Sequence, residues 1–255
     1  MTDNPLRAAD VLNPDWLPEY EKQRNALFNQ LRELNTMLFI LEKIELFPFW
    51  LFTPNTRDYV FWRTIRFSLI ETTIMIAVRA ILETDKDSLT LKNYKAEIVR
   101  NTADEKAKQA VKDLLRSVNF DKRIAEIEAK IRSIRNNFLA HFDKIQNTLE
   151  PDNRTIADIT YGEMKDLLTA AFDLFNILSF ETYFVPWLME YGDQVRNAQQ
   201  TDIERLLDYV AKSSHILNLP ERDPEVWQRR RLKLNAEEIK QINYYRTRAG
   251  LTEIT

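Results

Sequence analysis

Apolar residues recur along this chain at three- and four-residue spacing, the period of one face of an α-helix. Leu27, Leu31, Leu34, Leu38 and Leu41 follow that spacing through a first long segment, opened by Pro14-Asp-Trp-Leu-Pro18. Pro48 and Pro54 break the pattern around a very aromatic stretch, Phe47-Pro-Phe-Trp-Leu-Phe52. Asn55-Thr56 reads as a helix start, and Tyr59 through Glu83 as one long helix, apolar on most sides and therefore expected to be central. The polar turn Asp85-Lys-Asp-Ser-Leu-Thr90 follows, with Ser88 or Thr90 placed to cap a short helix reaching about Arg100. Further helices are predicted over 103–118 and 121–144. After a loop around Pro151, Thr160-Tyr-Gly-Glu163 has the spacing of a capping box and opens a long helix expected to reach about Pro186. Two more helices, 201–212 and 236–248, flank a turn bracketed by Pro220 and Pro224. No useful stretch alternates apolar and polar residues, so the fold class is all-α: a helical bundle over residues 1–218, followed by a basic helical C-terminal extension, 219–255.

Composition narrows the chemistry. Three glycines in 255 residues argue against phosphate-cradling glycine loops and against β architectures built on tight turns. The absence of cysteine excludes disulfides, zinc–thiolate sites and thiol nucleophiles. Two histidines, His141 and His215, are too few for a histidine metal cage within one chain, and no Glu-x-x-His pair suggests a di-iron bundle. Asp85-x-Asp87 begins like a calcium loop, but Thr90 stands where glycine is needed and Ala96 where an acid is needed. No metal and no cofactor is expected. The most apolar segments, 37–53, 67–82 and 167–189, all carry internal charge, and the first residues lack a basic, apolar leader, so a cytoplasmic protein without a membrane span is expected. His215 suits the C-terminal end of a helix and has no catalytic neighbours in sequence.

The formal net charge of −3 gives no global sign of nucleic-acid binding, so any such surface must be local. Residues 222–248 carry a net +4, concentrated in Arg229, Arg230, Arg231 and Lys233 beside Trp227. Cations interleaved with Trp227, Tyr244 and Tyr245 suit an RNA backbone and its bases, a solvated tail, or an acidic partner. Residues 119–145 are also basic, by a net +2, and include Arg132.

The segment Lys130-Ile-Arg-Ser-Ile-Arg-Asn-Asn-Phe-Leu-Ala-His-Phe-Asp143 is the most informative. On a regular helix Ile131, Ile134, Phe138, Phe142 and Ile145 form one apolar stripe. Arg135 and His141 flank it at about +60° and −60°, separated by about 9 Å along the axis. Asn136 falls near ~160°, facing away. Arg135 also suits an ion pair with Asp121, Glu128 or Asp143, and His141 a bonded histidine at an interface.

Arg135-Asn136, five residues between Arg135 and His141, and Ala140 before the histidine resemble the Arg-X4-6-His signature of HEPN domains. The string Arg135 to Asp143 is most similar to the abortive-infection-associated branch, and Ala80 to Asp85 followed by Ser88-Leu-Thr-Leu resembles the helices before its motif. The likeness covers residues 20–190 in general shape, with about ten of them specific. The resemblance implies a helical, metal-independent ribonuclease of phage defence or of a toxin–antitoxin pair. In such an enzyme the ribose 2′-OH attacks the adjacent phosphate. By resemblance His141 moves protons, Arg135 holds the phosphate, and Asn136 orients one or the other. It further implies a homodimer, an RNA substrate such as tRNA or mRNA, and an antitoxin or defence-system partner. Many such domains are instead non-catalytic interaction modules, which is the alternative function.

Overall fold

In a computed structural model, residues 6–52, 56–134, 159–180 and 201–254 are described. Among them all regular structure is helical, apart from an isolated antiparallel bridge between Leu12 and Thr102. In chain order the helices are α1 (Ala8–Val11), α2 (Leu17–Leu46), α3 (Phe49–Phe52), α4 (Thr56–Ala77), α5 (Leu91–Arg100), α6 (Glu105–Val118), α7 (Phe120–Ile134), α8 (Tyr161–Leu178), α9 (Asp202–Ser213), α10 (Leu219–Arg222), α11 (Pro224–Arg231) and α12 (Ala236–Arg248). A 3-10 turn, Pro14–Trp16, precedes α2, and a π turn, Val78–Leu82, follows α4. The protein is an all-α helical bundle.

The chain forms two compact units. The first comprises residues 1–39 and 70–190, the second 40–69 and 191–255. Residues 219–255, set apart by their basic composition, thus fall in the same unit as 40–69 and 191–218.

In the first unit α8 is the central helix, packing against α5, α6 and α7. Its start is fixed by the expected capping box: Thr160 Oγ1 accepts from Glu163 N–H at 3.1 Å, and Glu163 accepts from Thr160 N–H at 2.7 Å. Nine of its residues are buried, from Met164 to Leu178, so it is apolar nearly all round. It is shorter than expected. The turn at Ser179 and Phe180 closes it, with Phe180 in the left-handed region at φ 56°. Leu27, Leu31, Leu34 and Leu38 of α2 are buried as their spacing requires. Tyr20 joins them, its ring 6.0 Å from Tyr94 and its hydroxyl donating to the Leu178 carbonyl at 3.1 Å. The helix start at Thr90 is also as expected, with Thr90 Oγ1 accepting from Asn93 N–H at 3.1 Å.

Burial along the segment Tyr59–Glu83, expected to be central, is uneven: Ile74, Ile76, Ala77, Val78, Ala80, Ile81 and Leu82 are buried, whereas Val60, Phe61 and Met75 are exposed. The long run also changes pitch. From Val78 the helix widens to a π turn, in which Glu83 N–H donates to the Val78 carbonyl at 2.8 Å.

The second unit has an aromatic core. Phe47, Phe49 and Phe52 cluster with Leu207, Leu217, Trp227 and Ile242. The Phe47 and Phe49 rings lie 4.6 Å apart, and the Tyr245 ring meets Phe52 edge-on at 5.0 Å. Arg246 is wholly buried at its edge. Its guanidinium donates to the Leu217 carbonyl, to the Thr252 carbonyl at 2.7 Å and to both oxygens of Glu221.

Candidate nucleic-acid site

Arg135, Asn136 and His141 lie outside the described residues, as do Phe138, Phe142 and Ile145 of the predicted stripe. The structure does describe α7, the helix that leads to them in the chain. Its apolar stripe is real: Ile124 and Ile131 are fully buried and Ile127 and Ile134 nearly so, packed towards α8.

Three polar attachments hold the last described turns of α7. Lys130 Nζ reaches Glu163 Oε1 of α8 at 2.5 Å. Lys92 of α5 donates to both oxygens of Glu128 at 2.6 Å. Arg132 donates through Nε to Glu128 at 2.9 Å and through Nη2 to the Leu82 carbonyl at 2.9 Å. That carbonyl belongs to the π turn and has no successor in the helix to bond. Partial burial alone would raise the Glu128 carboxyl, but hydrogen bonds from Lys92 and Arg132 outweigh it and hold it below the ordinary value. The last two described turns of α7 are thus fixed to α5, α8 and the π turn. Neither the π turn nor the Arg132–Leu82 contact is legible in Val78-Arg-Ala-Ile-Leu82, an ordinary apolar run.

Arg132, singled out for RNA binding, therefore has two structural partners. The basic cluster is more open. Arg229, Arg230 and Arg231 end α11, which Asp223 caps by accepting from Val226 N–H at 3.1 Å. Arg229 approaches Glu225 at 3.6 Å with both side chains largely exposed; Arg231 and Lys233 are exposed and Arg230 half-buried. Consecutive helical positions sit about 100° apart, so the three arginines fan out and do not form one stripe. Trp227 is buried in the core beneath them and is not available for stacking; Tyr244 is exposed. Two other cations of this segment are also committed. Arg246 is buried, and Arg248 forms a two-pronged pair with Asp208, with Nη2 to Oδ2 at 2.7 Å and Nε to Oδ1 at 3.0 Å. The surface charge of residues 222–248 is therefore lower than their composition suggests. His215 is exposed in the turn after α9, near the helix C-terminus. Among the described residues no cluster of His, Asp and Glu could hold a metal ion, and no helix is long and apolar enough to cross a membrane.

In the sequence α7 runs directly into Arg135-Asn136-X4-His141, the motif that resembles the HEPN signature. The HEPN_AbiU2 family, described as AbiU2, matches residues 51–184, a span that contains α4 to α8 and the motif. The chain belongs to this family, an abortive-infection-associated branch of the HEPN superfamily. No curated protein and no solved structure matches the chain.

Proposed function

We propose that the protein is a metal-independent endoribonuclease of abortive infection, or the toxin of a toxin–antitoxin pair, acting on tRNA or mRNA in the cytoplasm. The observation that carries this reading is a family match that spans the Arg135-Asn136-X4-His141 motif. In the reaction the 2′-oxygen forms a bond to the adjacent phosphorus and the bond to the 5′-oxygen breaks. The 2′-OH loses a proton, the 5′-oxygen gains one, and the products end in a 2′,3′-cyclic phosphate and a 5′-OH. His141 exchanges these protons, a task suited to an imidazole near neutral pH. Arg135 stabilises the charge that develops on the phosphoryl oxygens, and Asn136 orients the histidine or the phosphate. Two copies facing each other supply a second motif to one cleft. Arg229, Arg230, Arg231 and Lys233 bind the RNA backbone. Arg132 contributes less, because Glu128 and the Leu82 carbonyl already hold it.

The test is cleavage of total cellular RNA in excess EDTA by the wild type and by His141→Ala, with products typed for their ends. Cleavage by the wild type alone, giving 5′-OH and cyclic-phosphate termini, is expected. Cleavage surviving in His141→Ala would refute the assignment. Binding of RNA or a partner with no cleavage by either form would favour the non-catalytic module.

A further inference from the structure

Burial alone leaves the end of α7 free to roll. Ile124, Ile127, Ile131 and Ile134 seal one side of the helix, but apolar contact has no direction and fixes depth better than rotation. Directional bonds come from Arg132. Its Nε donates to Glu128 at 2.9 Å and its Nη2 to the Leu82 carbonyl at 2.9 Å, so one planar group spans its own helix and the π turn. Glu128 is itself gripped by Lys92 of α5 through both oxygens at 2.6 Å, and the two side chains are only 17% and 18% exposed, so little water competes for the bonds. π turns inside helices occur often at functional sites. This one supplies the carbonyl that Arg132 holds, and Leu82 is buried. Arg135 follows Arg132 by three residues, so the two Cα atoms lie within about 11 Å whatever course the chain takes between them.

We propose that Arg132 is a positioning residue for RNA cleavage: the chain Lys92–Glu128–Arg132–Leu82 sets the roll of the end of α7 and, through it, the place of Arg135 at the phosphate. The inference rests on the ribonuclease reading for its reaction. It differs from a direct RNA contact, because the guanidinium fork already donates to a carboxylate and a main-chain carbonyl. A catalytic group works only when held within about 10–20° of its productive direction, and two acceptors on different elements impose that limit where a single ion pair would not.

The test is steady-state cleavage, by the full chain in excess EDTA, of a synthetic RNA carrying a site mapped in a wild-type digest of total RNA. Arg132→Ala should lower kcat by roughly a hundredfold with KM little changed, the mark of a group that acts only in the transition state. Arg132→Lys should recover part of the rate, because an ammonium reaches one acceptor but does not span both. Glu128→Gln should also lower kcat, and should add nothing to Arg132→Ala if it acts through the guanidinium. The control is Arg123→Ala, which breaks the 2.7 Å pair with Asp173 that ties the first turns of α7 to α8. Its kcat should stay at the wild-type value. Equal kcat losses in the two alanine variants overturn the proposal in favour of a merely structural role. A raised KM with kcat intact overturns it in favour of direct RNA binding by Arg132. If Arg132→Ala does not fold, Arg132→Lys and Glu128→Gln carry the same comparison, and wild-type kcat in both overturns it. Cleavage by the wild type with no effect of these variants defeats the positioning role alone; no cleavage by the wild type defeats the ribonuclease reading and this inference with it.

Discussion

Lys130 and Glu163 meet at 2.5 Å, and through this pair α7 is tied to the capping box that begins α8. Glu163 serves both partners, accepting from Thr160 N–H at 2.7 Å while it binds the ammonium. The Lys130 hydrogen bond, aided by Thr160, lowers the carboxyl from its ordinary 4.5 to about 2. A depressed carboxyl contributes stability above its unfolded value and loses it as pH falls through the folded one. Melting followed by circular dichroism should therefore show wild type above Glu163→Gln at pH 5 and higher, with the gap closing between about pH 4.5 and 2. A gap that persists at pH 2 would exclude the carboxylate as its source.

The second unit repeats the device. Thr201 and Glu204 form a capping box on α9, and Lys43 binds Glu204 at 2.9 Å. Here partial burial pushes the carboxyl up, but Lys43 and Thr201 overcome it and bring it to about 2. Lys43→Met removes the cation and leaves the burial. The Glu204 carboxyl should then titrate well above its wild-type position in an NMR pH series, while Glu163 stays where it was.

These helix starts were legible because Thr-x-x-Glu and a leading Thr satisfy orphan N–H groups locally. The lysines that complete them were not, since Lys43 lies 161 positions from Glu204 and no local pattern joins them. The buried stripe of α7 was legible through Ile131 and Ile134, and the family through the residues just after it. The segment from Tyr59 to Glu83 is buried only in its second half, because its composition is apolar throughout while its burial is decided by neighbours that sequence does not name. Arg246 was counted as surface charge, although it is the largest fully buried side chain among the described residues. Nothing in Tyr-Tyr-Arg-Thr-Arg248 distinguishes the inward arginine from the outward one.

Arg132 bridges Glu128 and the carbonyl that the π turn leaves open. Leu82 is buried, so Arg132→Ala strands a buried acceptor and should lower unfolding stability by about 1–2 kcal/mol. Arg132→Lys should recover only part of this in urea titrations, because an ammonium lacks the planar fork that spans both acceptors. Full recovery would show that charge alone matters there.

Arg246 poses a sharper case. Its removal strands the Leu217 and Thr252 carbonyls and leaves Glu221 without the guanidinium that holds its carboxyl below the ordinary range. Arg246→Met should cost roughly 3 kcal/mol, as loss of several charged hydrogen bonds, one of them to the carbonyl of buried Leu217, does. Glu221→Gln should cost much less, since Glu221 is half exposed and the two carbonyl bonds survive. Equal losses in chemical denaturation would place the energy in the ion pair and not in the carbonyls.

If the cluster after Trp227 holds an RNA backbone, its contribution is electrostatic and should be read from salt dependence. Arg230, Arg231 and Lys233 fan out around the end of α11, so each can neutralise a different phosphate. A single-stranded site loses about 0.7 in the slope of log K against log salt for each phosphate contact removed. Replacing all three by alanine should thus reduce the slope for an uncleavable oligonucleotide by about 2. The fold should be untouched, because Trp227 anchors the helix from its buried face and Asp223 caps it from the other end. An unchanged slope in a folded triple variant would remove these residues from the RNA path and return the cluster to binding an acidic protein partner.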